Sequence, residues 1–221
     1  LGPLGERFLL RRQPSLEAQI ANVADEIAYN HHDIDDGLRS GILALETVRE
    51  HAGFESALGA SRAAAPSLAG KRLTYTAIRH MLGAFVSDLI EASAARLAER
   101  APRGVEEVRA ADAPLVDFSP AMRDSHLKLK RLLFQRLYDE PPVRRIAQRA
   151  QQLVTDLFEA FLADPGLLPE GHRLTAEADP LVRAQAIRDY IAGMTDRYAL
   201  AEHGRVCGSN FATSTQPWLT A

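Results

Sequence analysis

The chain has 221 residues, of which 46% are hydrophobic and 25% charged, and its formal net charge is −3 at pH 7. This is the composition of a globular protein with a buried core, and it excludes the strongly basic surface of a dedicated nucleic-acid-binding protein. The single cysteine, Cys207, excludes an intrachain disulfide and a multi-cysteine metal site. No apolar run reaches the roughly 18 residues of a membrane span, so we expect a cytoplasmic protein without membrane contact.

The first predicted element is a long helix that begins after Ser15, a candidate N-cap. Its apolar residues recur at helical spacing and predict a buried seam: Leu16, Ile20, Val23, Ile27, Ile34 and Leu38. Gly37 and Gly41 mark its end.

Further helices are predicted over residues 43–48, 73–100, 120–138, 143–162 and 180–203, bounded by proline, glycine or capping residues. Residues 59–70 are predicted to form a loop, and residues 101–120 a connection. We expect the tail from Gly208 to be irregular. Because no segment alternates strictly between apolar and polar residues, the predicted fold class is all-α with at most minor strands.

The densest cluster of polar residues lies inside the first helix. At 3.6 residues per turn, one face collects three carboxylates, an imidazole and a phenol: Asp25, Tyr29, His32, Asp33 and Asp36. Like charges at this spacing repel each other, and a divalent cation with carboxylate and imidazole ligands would remove the repulsion. The spacing alone leaves two interpretations open, a metal or phosphate site and an ordinary solvated face.

The residue pattern favours the site, because residues 15–41 resemble the signature of the bacterial deoxyguanosine triphosphate triphosphohydrolases, a dNTP triphosphohydrolase family of the HD-domain superfamily. The signature has three elements: Glu17-x-Gln19, Ala24-Asp25-x-Ile27-Ala28-Tyr29 and His32-Asp33-x-x-Asp36-Gly37. A second block, residues 189–199, supports the resemblance, and residues 72–90 match more loosely. The resemblance covers about residues 6–206.

The resemblance implies roles for three residues, and the position of a fourth, His32, suggests another. Asp25 matches the last metal ligand of the family, and Tyr29 and Asp33 match residues that line the deoxynucleotide pocket. His32-Asp33 spells the family's metal-binding dyad but follows the metal-ligating aspartate instead of preceding it, so we assign His32 to the substrate and not to the metal. The other ligands and the acid/base residues belong upstream, so no catalytic residue is assigned in this chain.

The fold implied by the resemblance is an HD-domain-like helical bundle, of which this chain is the carboxy-terminal part. We divide it into residues 1–14 (the remainder of the HD core or an extension), 15–100 (core helices with Asp25), 101–206 (a carboxy-terminal helical region) and 207–221 (a tail). Since one carboxylate cannot hold a catalytic ion, we expect the chain to be an incomplete half that is inactive alone.

The function implied for the complete protein is hydrolysis of a dGTP-like deoxynucleoside triphosphate to a deoxynucleoside and triphosphate, with Mg, Mn, Fe, Co or Ni as the divalent metal ion. A homo-oligomer is expected, and nucleic acid is disfavoured except as an effector. Two alternatives stay open. One is a catalytically inactive helical module for oligomerisation or nucleotide binding, and the other is an HD-type phosphohydrolase of cyclic or monophosphate nucleotides.

Overall fold

The computed structural model describes residue 5 and residues 12–172 and 179–208. All regular secondary structure within these ranges is helical, so the predicted all-α bundle is confirmed. No helix in the described part of the chain combines the length and the apolar character that crossing a bilayer requires. Most of residues 1–14, predicted as an extension or the remainder of the HD core, and most of the predicted tail lie outside the described residues. Cys207, predicted as the first residue of the tail, is instead the last residue of a helix.

The chain forms two compact units, residues 1–140 and 141–221. The described helices of the first unit are α1 (Leu16–Ser40), α2 (Leu45–Arg49), α3 (Ala52–Ala64), α4 (Gly70–Arg100), α5 (Val105–Arg109) and α6 (Pro120–Leu133), and α6 continues into a π-helical turn (Phe134–Tyr138). Those of the second unit are α7 (Pro141–Ala163), α8 (Pro180–Ala192) and α9 (Asp196–Cys207), with 3-10 turns at Pro165–Leu167 and Glu170–His172. The division at residue 100 stays a sequence-based prediction.

Helix α1 begins and ends where the capping residues predict. The Ser15 side chain accepts a hydrogen bond from the backbone N–H of Ala18, and Gly41 adopts the left-handed conformation (φ 74°) that ends a helix at low steric cost. Gly37 lies within the helix, close to the side chain of Leu43. The apolar face of α1 packs against α4 and α6, which places the opposite face at the surface.

The loop predicted over residues 59–70 is wrong for its first half, which belongs to α3. Alanine has the highest helix propensity, so the Ala-rich segment is helical without a strong apolar pattern. The buried side of α3 follows helical spacing with two large and two small residues: Phe54, Ala57, Leu58 and Ser61. Its contacts with α4 stabilise a helix that the sequence pattern did not reveal.

The single helix predicted over residues 180–203 is also wrong, because α8 ends at Ala192 and α9 begins at Asp196. Thr195 caps the new helix, and its hydroxyl accepts a hydrogen bond from the backbone N–H of Tyr198. The break allows α8 and α9 each to pack against α7. The fully buried core of the second unit consists of residues from α7, α8 and the end of the Pro165–Leu167 turn: Leu153, Leu157, Phe161, Leu168, Ile187 and Tyr190. Partly buried residues of α9, such as Leu200, pack against this core.

Candidate functional site

Helix α1 has a buried face and an exposed face, and the predicted site residues lie on the exposed one. Asp25, Tyr29 and His32 are exposed, and the exposed fraction of Tyr29 reaches 55%. Asp33 is half-buried at the border between the two faces. The carboxylate of Asp25 therefore meets solvent in the described chain, on the same side of the helix as the phenol of Tyr29.

The half-buried Asp33 is held by a residue from the other end of the first unit. The hydroxyl of Tyr138 donates a hydrogen bond to Oδ2 of Asp33. Burial raises the pKa of Asp33, and the hydrogen bond from Tyr138 opposes that shift. Burial, followed by the hydrogen bonds with Asp33 and Tyr29, raises the pKa of Tyr138, so its hydroxyl stays protonated and donates. Tyr29, Asp33 and Tyr138 thus form one polar group at the surface.

Tyr138, which bonds to Asp33, is the last residue of the π-helical turn that follows α6. A π-helical turn widens the helix and shifts the following side chains relative to a regular α-helix, and such turns are frequent at functional sites. The sequence analysis missed Tyr138 as a site residue. Its separation from Asp33 by 105 residues leaves no local spacing signal.

A second polar contact fixes α1 against α6, next to Asp25. His126 is completely buried, and its Nδ1 lies 3.4 Å from Nδ2 of Asn30, which can only donate. Nε2 of His126 then carries the proton and donates to Oε2 of Glu26 at 2.8 Å. Burial lowers the pKa of His126, which keeps the ring neutral. This contact fixes the rotation of α1 and therefore the direction in which Asp25 points.

His31, the neighbour of His32, belongs to the core and not to the exposed face. Its Nδ1 lies 2.6 Å from the carbonyl oxygen of Ile27, and its ring meets Phe85 edge-on with centroids 5.4 Å apart. Burial lowers the pKa of His31, as it does for the buried His51 on the same unit. Of the two adjacent histidines, only His32 is therefore available to a ligand on the Asp25 face.

The described residues do not by themselves form a metal site. Within the described ranges, no group of three or more His, Cys, Asp or Glu side chains is placed to hold an ion. Asp25 offers one exposed carboxylate, and one ligand does not fix a catalytic ion. The donor chemistry of Asp25 suits a divalent cation, but the described residues supply only part of a coordination shell.

Comparison with protein families finds a match that covers the carboxy-terminal part of the chain. Residues 116–205 match the family described as Phosphohydrolase-associated domain. This range includes His126 and Tyr138, the two residues that hold α1 through Glu26 and Asp33.

The curated relatives agree with the resemblance seen in the residues. A deoxyguanosinetriphosphate triphosphohydrolase-like protein of Bordetella pertussis is 48% identical over 206 residues, which are 93% of this chain and 53% of the relative. Proteins of the same name from Ralstonia nicotianae and Brucella suis are 47% and 44% identical, over 93% and 89% of this chain and 52% and 49% of their own lengths. The predicted resemblance to the deoxyguanosine triphosphate triphosphohydrolase family is confirmed. The chain spans about half the length of the curated relatives it matches.

Proposed function

We propose that this chain is part of a metal-dependent hydrolase that splits a dGTP-like deoxynucleoside triphosphate into a deoxynucleoside and triphosphate. The observation that carries this proposal is the arrangement of Asp25 and Tyr29 on the exposed face of α1, with the half-buried Asp33 at the border of that face and oriented by Tyr138. The names of the relatives support the reaction class.

Asp25 is proposed as one ligand of a divalent metal ion. The remaining ligands and the acid/base residues come from polypeptide beyond these 221 residues, in line with the half of the relatives that the chain does not match. When bound, such an ion polarises a phosphoryl oxygen and lowers the pKa of a bound water. The 221-residue chain alone is accordingly proposed to be inactive.

Tyr29, His32 and Asp33 are proposed to bind the substrate. The carboxylate of Asp33 accepts a hydrogen bond from a sugar hydroxyl, and the ring of Tyr29 packs against the sugar. The hydrogen bond from Tyr138 occupies Oδ2 of Asp33 and leaves Oδ1 for the substrate. His32 contacts the substrate from the next turn of the same exposed face.

A triphosphate-release assay on the complete protein tests the role of Asp25. Asp25→Ala is expected to lower triphosphate release at least about a hundredfold, because metal ions contribute several kcal/mol of charge stabilisation. Metal content, measured on the same preparation, falls with it. Glu91→Ala, which removes an exposed carboxylate from α4, is the matched control and leaves both unchanged. Undiminished release with unchanged metal content in Asp25→Ala refutes the proposal.

One observation favours the inactive module as a second candidate, namely that no three-ligand group exists among the described residues. Calorimetric titration of the complete protein with dGTP, with and without Mn²⁺, separates the two. Nucleotide binding that needs no metal, with no triphosphate released, supports the module. Metal-dependent binding and turnover support the hydrolase. The predicted homo-oligomer and the predicted cytoplasmic location stay predictions.

A further inference from the structure

Two buried polar atoms of the first unit have no hydrogen-bond partner among the described residues: Nε2 of His31 and Oδ1 of Asp35. His31 is 5% exposed, whereas 25% of the Asp35 side chain reaches solvent. A buried polar atom without a partner has lost its hydration and gained nothing in exchange, so such atoms are rare in folded proteins. Both atoms belong to helix α1.

His31 and Asp35 lie one turn apart on α1, at positions i and i+4. Side chains at this spacing are neighbours on a helix, with Cβ atoms about 5–6 Å apart, and helix-borne metal sites use it to bring two ligands to one ion. The pair lies roughly 80–120° around the helix from Asp25. Asp25 is therefore not a member of it.

The hydrogen bond at the other ring nitrogen fixes the form of the His31 imidazole. Nδ1 of His31 lies 2.6 Å from the carbonyl oxygen of Ile27, which only accepts, so Nδ1 carries the proton and Nε2 presents a lone pair. Burial lowers the pKa of His31, which keeps the ring neutral. A neutral imidazole that donates from one nitrogen to a backbone carbonyl is typical of histidines that bind a metal ion through the other nitrogen.

The other two buried histidines of the described first unit differ from His31 in this respect. Both ring nitrogens of His51 have hydrogen-bond partners, and so do both ring nitrogens of His126. Their rings are held by the fold and offer no lone pair. The lone pair of His31 is therefore not a general property of buried histidines in this unit.

The chemistry of the two atoms selects a cation. Nε2 of His31 and Oδ1 of Asp35 both present lone pairs, so neither satisfies the other, but a metal ion bound between them satisfies both. Imidazole nitrogen together with carboxylate oxygen suits zinc and its neighbours in the first transition row. Nη1 of Arg39 lies 3.5 Å from Oδ2 of Asp35 and so leaves Oδ1 to the ion.

We infer that His31 and Asp35 form a binding site for a divalent transition-metal ion such as Zn²⁺, with Nε2 and Oδ1 as its two protein ligands. Water completes the coordination shell from the exposed side of Asp35. With two side chains, the site is smaller than the groups of three or more that the described ranges lack. It does not depend on the proposed hydrolysis.

Calorimetric titration of the 221-residue chain with ZnCl₂ tests this site, and one bound equivalent is expected. Asp35→Asn, which preserves the shape of the side chain, is expected to raise the Zn²⁺ dissociation constant at least about tenfold. Asp36→Asn, at the next and exposed carboxylate of α1, is the matched control and keeps the affinity. Asp25→Ala keeps it too, which separates this ion from the proposed ion of the hydrolase.

Two results of this titration overturn the inference. The first is the absence of saturable Zn²⁺ binding, which would mean that water alone serves the two buried atoms. The second is binding that survives in Asp35→Asn and is lost in Asp25→Ala or Asp36→Asn, which would place the ion on the exposed face of α1.

Arg39→Gln gives a test in the opposite direction. It removes a cation beside Asp35, so Zn²⁺ binding is expected to tighten about two- to fivefold, the usual contribution of an exposed ion pair. Unchanged or weaker binding would contradict the role of Asp35 as a ligand.

Nitrogen-15 NMR of the imidazole rings identifies the other ligand without any substitution. Zn²⁺ is expected to shift the Nε2 resonance of His31 and to leave the ring resonances of His51 and His126 in place. A shift confined to the exposed His32 would contradict the inference.

Discussion

The hydroxyl of Tyr138 donates a hydrogen bond to the carboxylate of Asp33, 105 residues earlier in the chain. The contact joins the π-helical turn after α6 to the exposed face of α1. It brings a residue of the range that matches the Phosphohydrolase-associated domain into contact with a residue of the segment that resembles the triphosphohydrolase signature.

Tyr138→Phe removes this donor while it keeps the ring. Because the hydrogen bond from Tyr138 lowers the pKa of Asp33 against the effect of burial, we expect that pKa to rise further in the variant. Carboxyl ¹³C NMR titration of Asp33 measures the change. Tyr75→Phe, which removes another hydroxyl from the same unit, is the control. An Asp33 pKa equal to that of the unmodified chain would show that the contact does not form in solution.

His126→Ala is expected to destabilise the first unit by about 2–4 kcal/mol, since it leaves a cavity and removes the buried partner of Asn30 and Glu26. Urea unfolding followed by circular dichroism measures the loss. His32→Ala, at an exposed position of α1, is expected to stay within about 0.5 kcal/mol. Equal stabilities of the two variants would contradict the anchoring role of His126.

The stability of the first unit is expected to fall in mild acid. His31, His51 and His126 each have a folded-state pKa that burial lowers below 6.5, whereas in the unfolded chain they titrate near that value. The unfolded chain therefore takes up protons first as the pH falls. Above about pH 6.5 the three neutral rings make their full contribution to the free energy of unfolding. As the pH falls from there towards their lower folded-state pKa values, this contribution is lost by up to about 4 kcal/mol per pH unit. Urea midpoints that stay constant from about pH 7.5 to 5.5 would contradict this expectation.

Substitution by alanine is expected to change the stability of the chain in opposite directions at two glycines within helices. A Cβ at Gly37 would overlap with Cδ1 of Leu43, so Gly37→Ala is expected to cost about 1–3 kcal/mol through displacement of that side chain. A Cβ at Gly59, within α3, meets nothing within 4 Å, so Gly59→Ala is expected to stabilise the chain by about 0.5–1 kcal/mol. The same sign of change in urea unfolding for both variants would contradict this packing.

The sequence predicted α1 well because local signals define it. Ser15 supplies the cap, Gly41 the left-handed end, and the apolar residues recur at helical spacing. The first part of residues 59–70 was predicted as a loop because alanine gives helix propensity without a visible apolar stripe. The break between α8 and α9 depends on the Thr195 cap and on packing against α7, which a continuous helical pattern conceals.

For the candidate site too, the sequence predicts the residues that share a helix but not those that distant contacts bring to it. Asp25, Tyr29, His32 and Asp33 share a helix, so their common face follows from the 3.6-residue period. The roles of Tyr138 and His126 depend on contacts about 100 residues away in the chain, and no periodicity reports such contacts. Metal binding at Asp25 depends further on ligands that the described residues do not supply.

Anomalous diffraction from crystals of the complete protein grown with Mn²⁺ tests whether Asp25 is a metal ligand. We expect an anomalous peak about 2.0–2.4 Å from a carboxylate oxygen of Asp25, with Tyr29 and Asp33 facing the same cavity. A bound Mn²⁺ whose coordination shell excludes Asp25, with that carboxylate still in solvent, would contradict it.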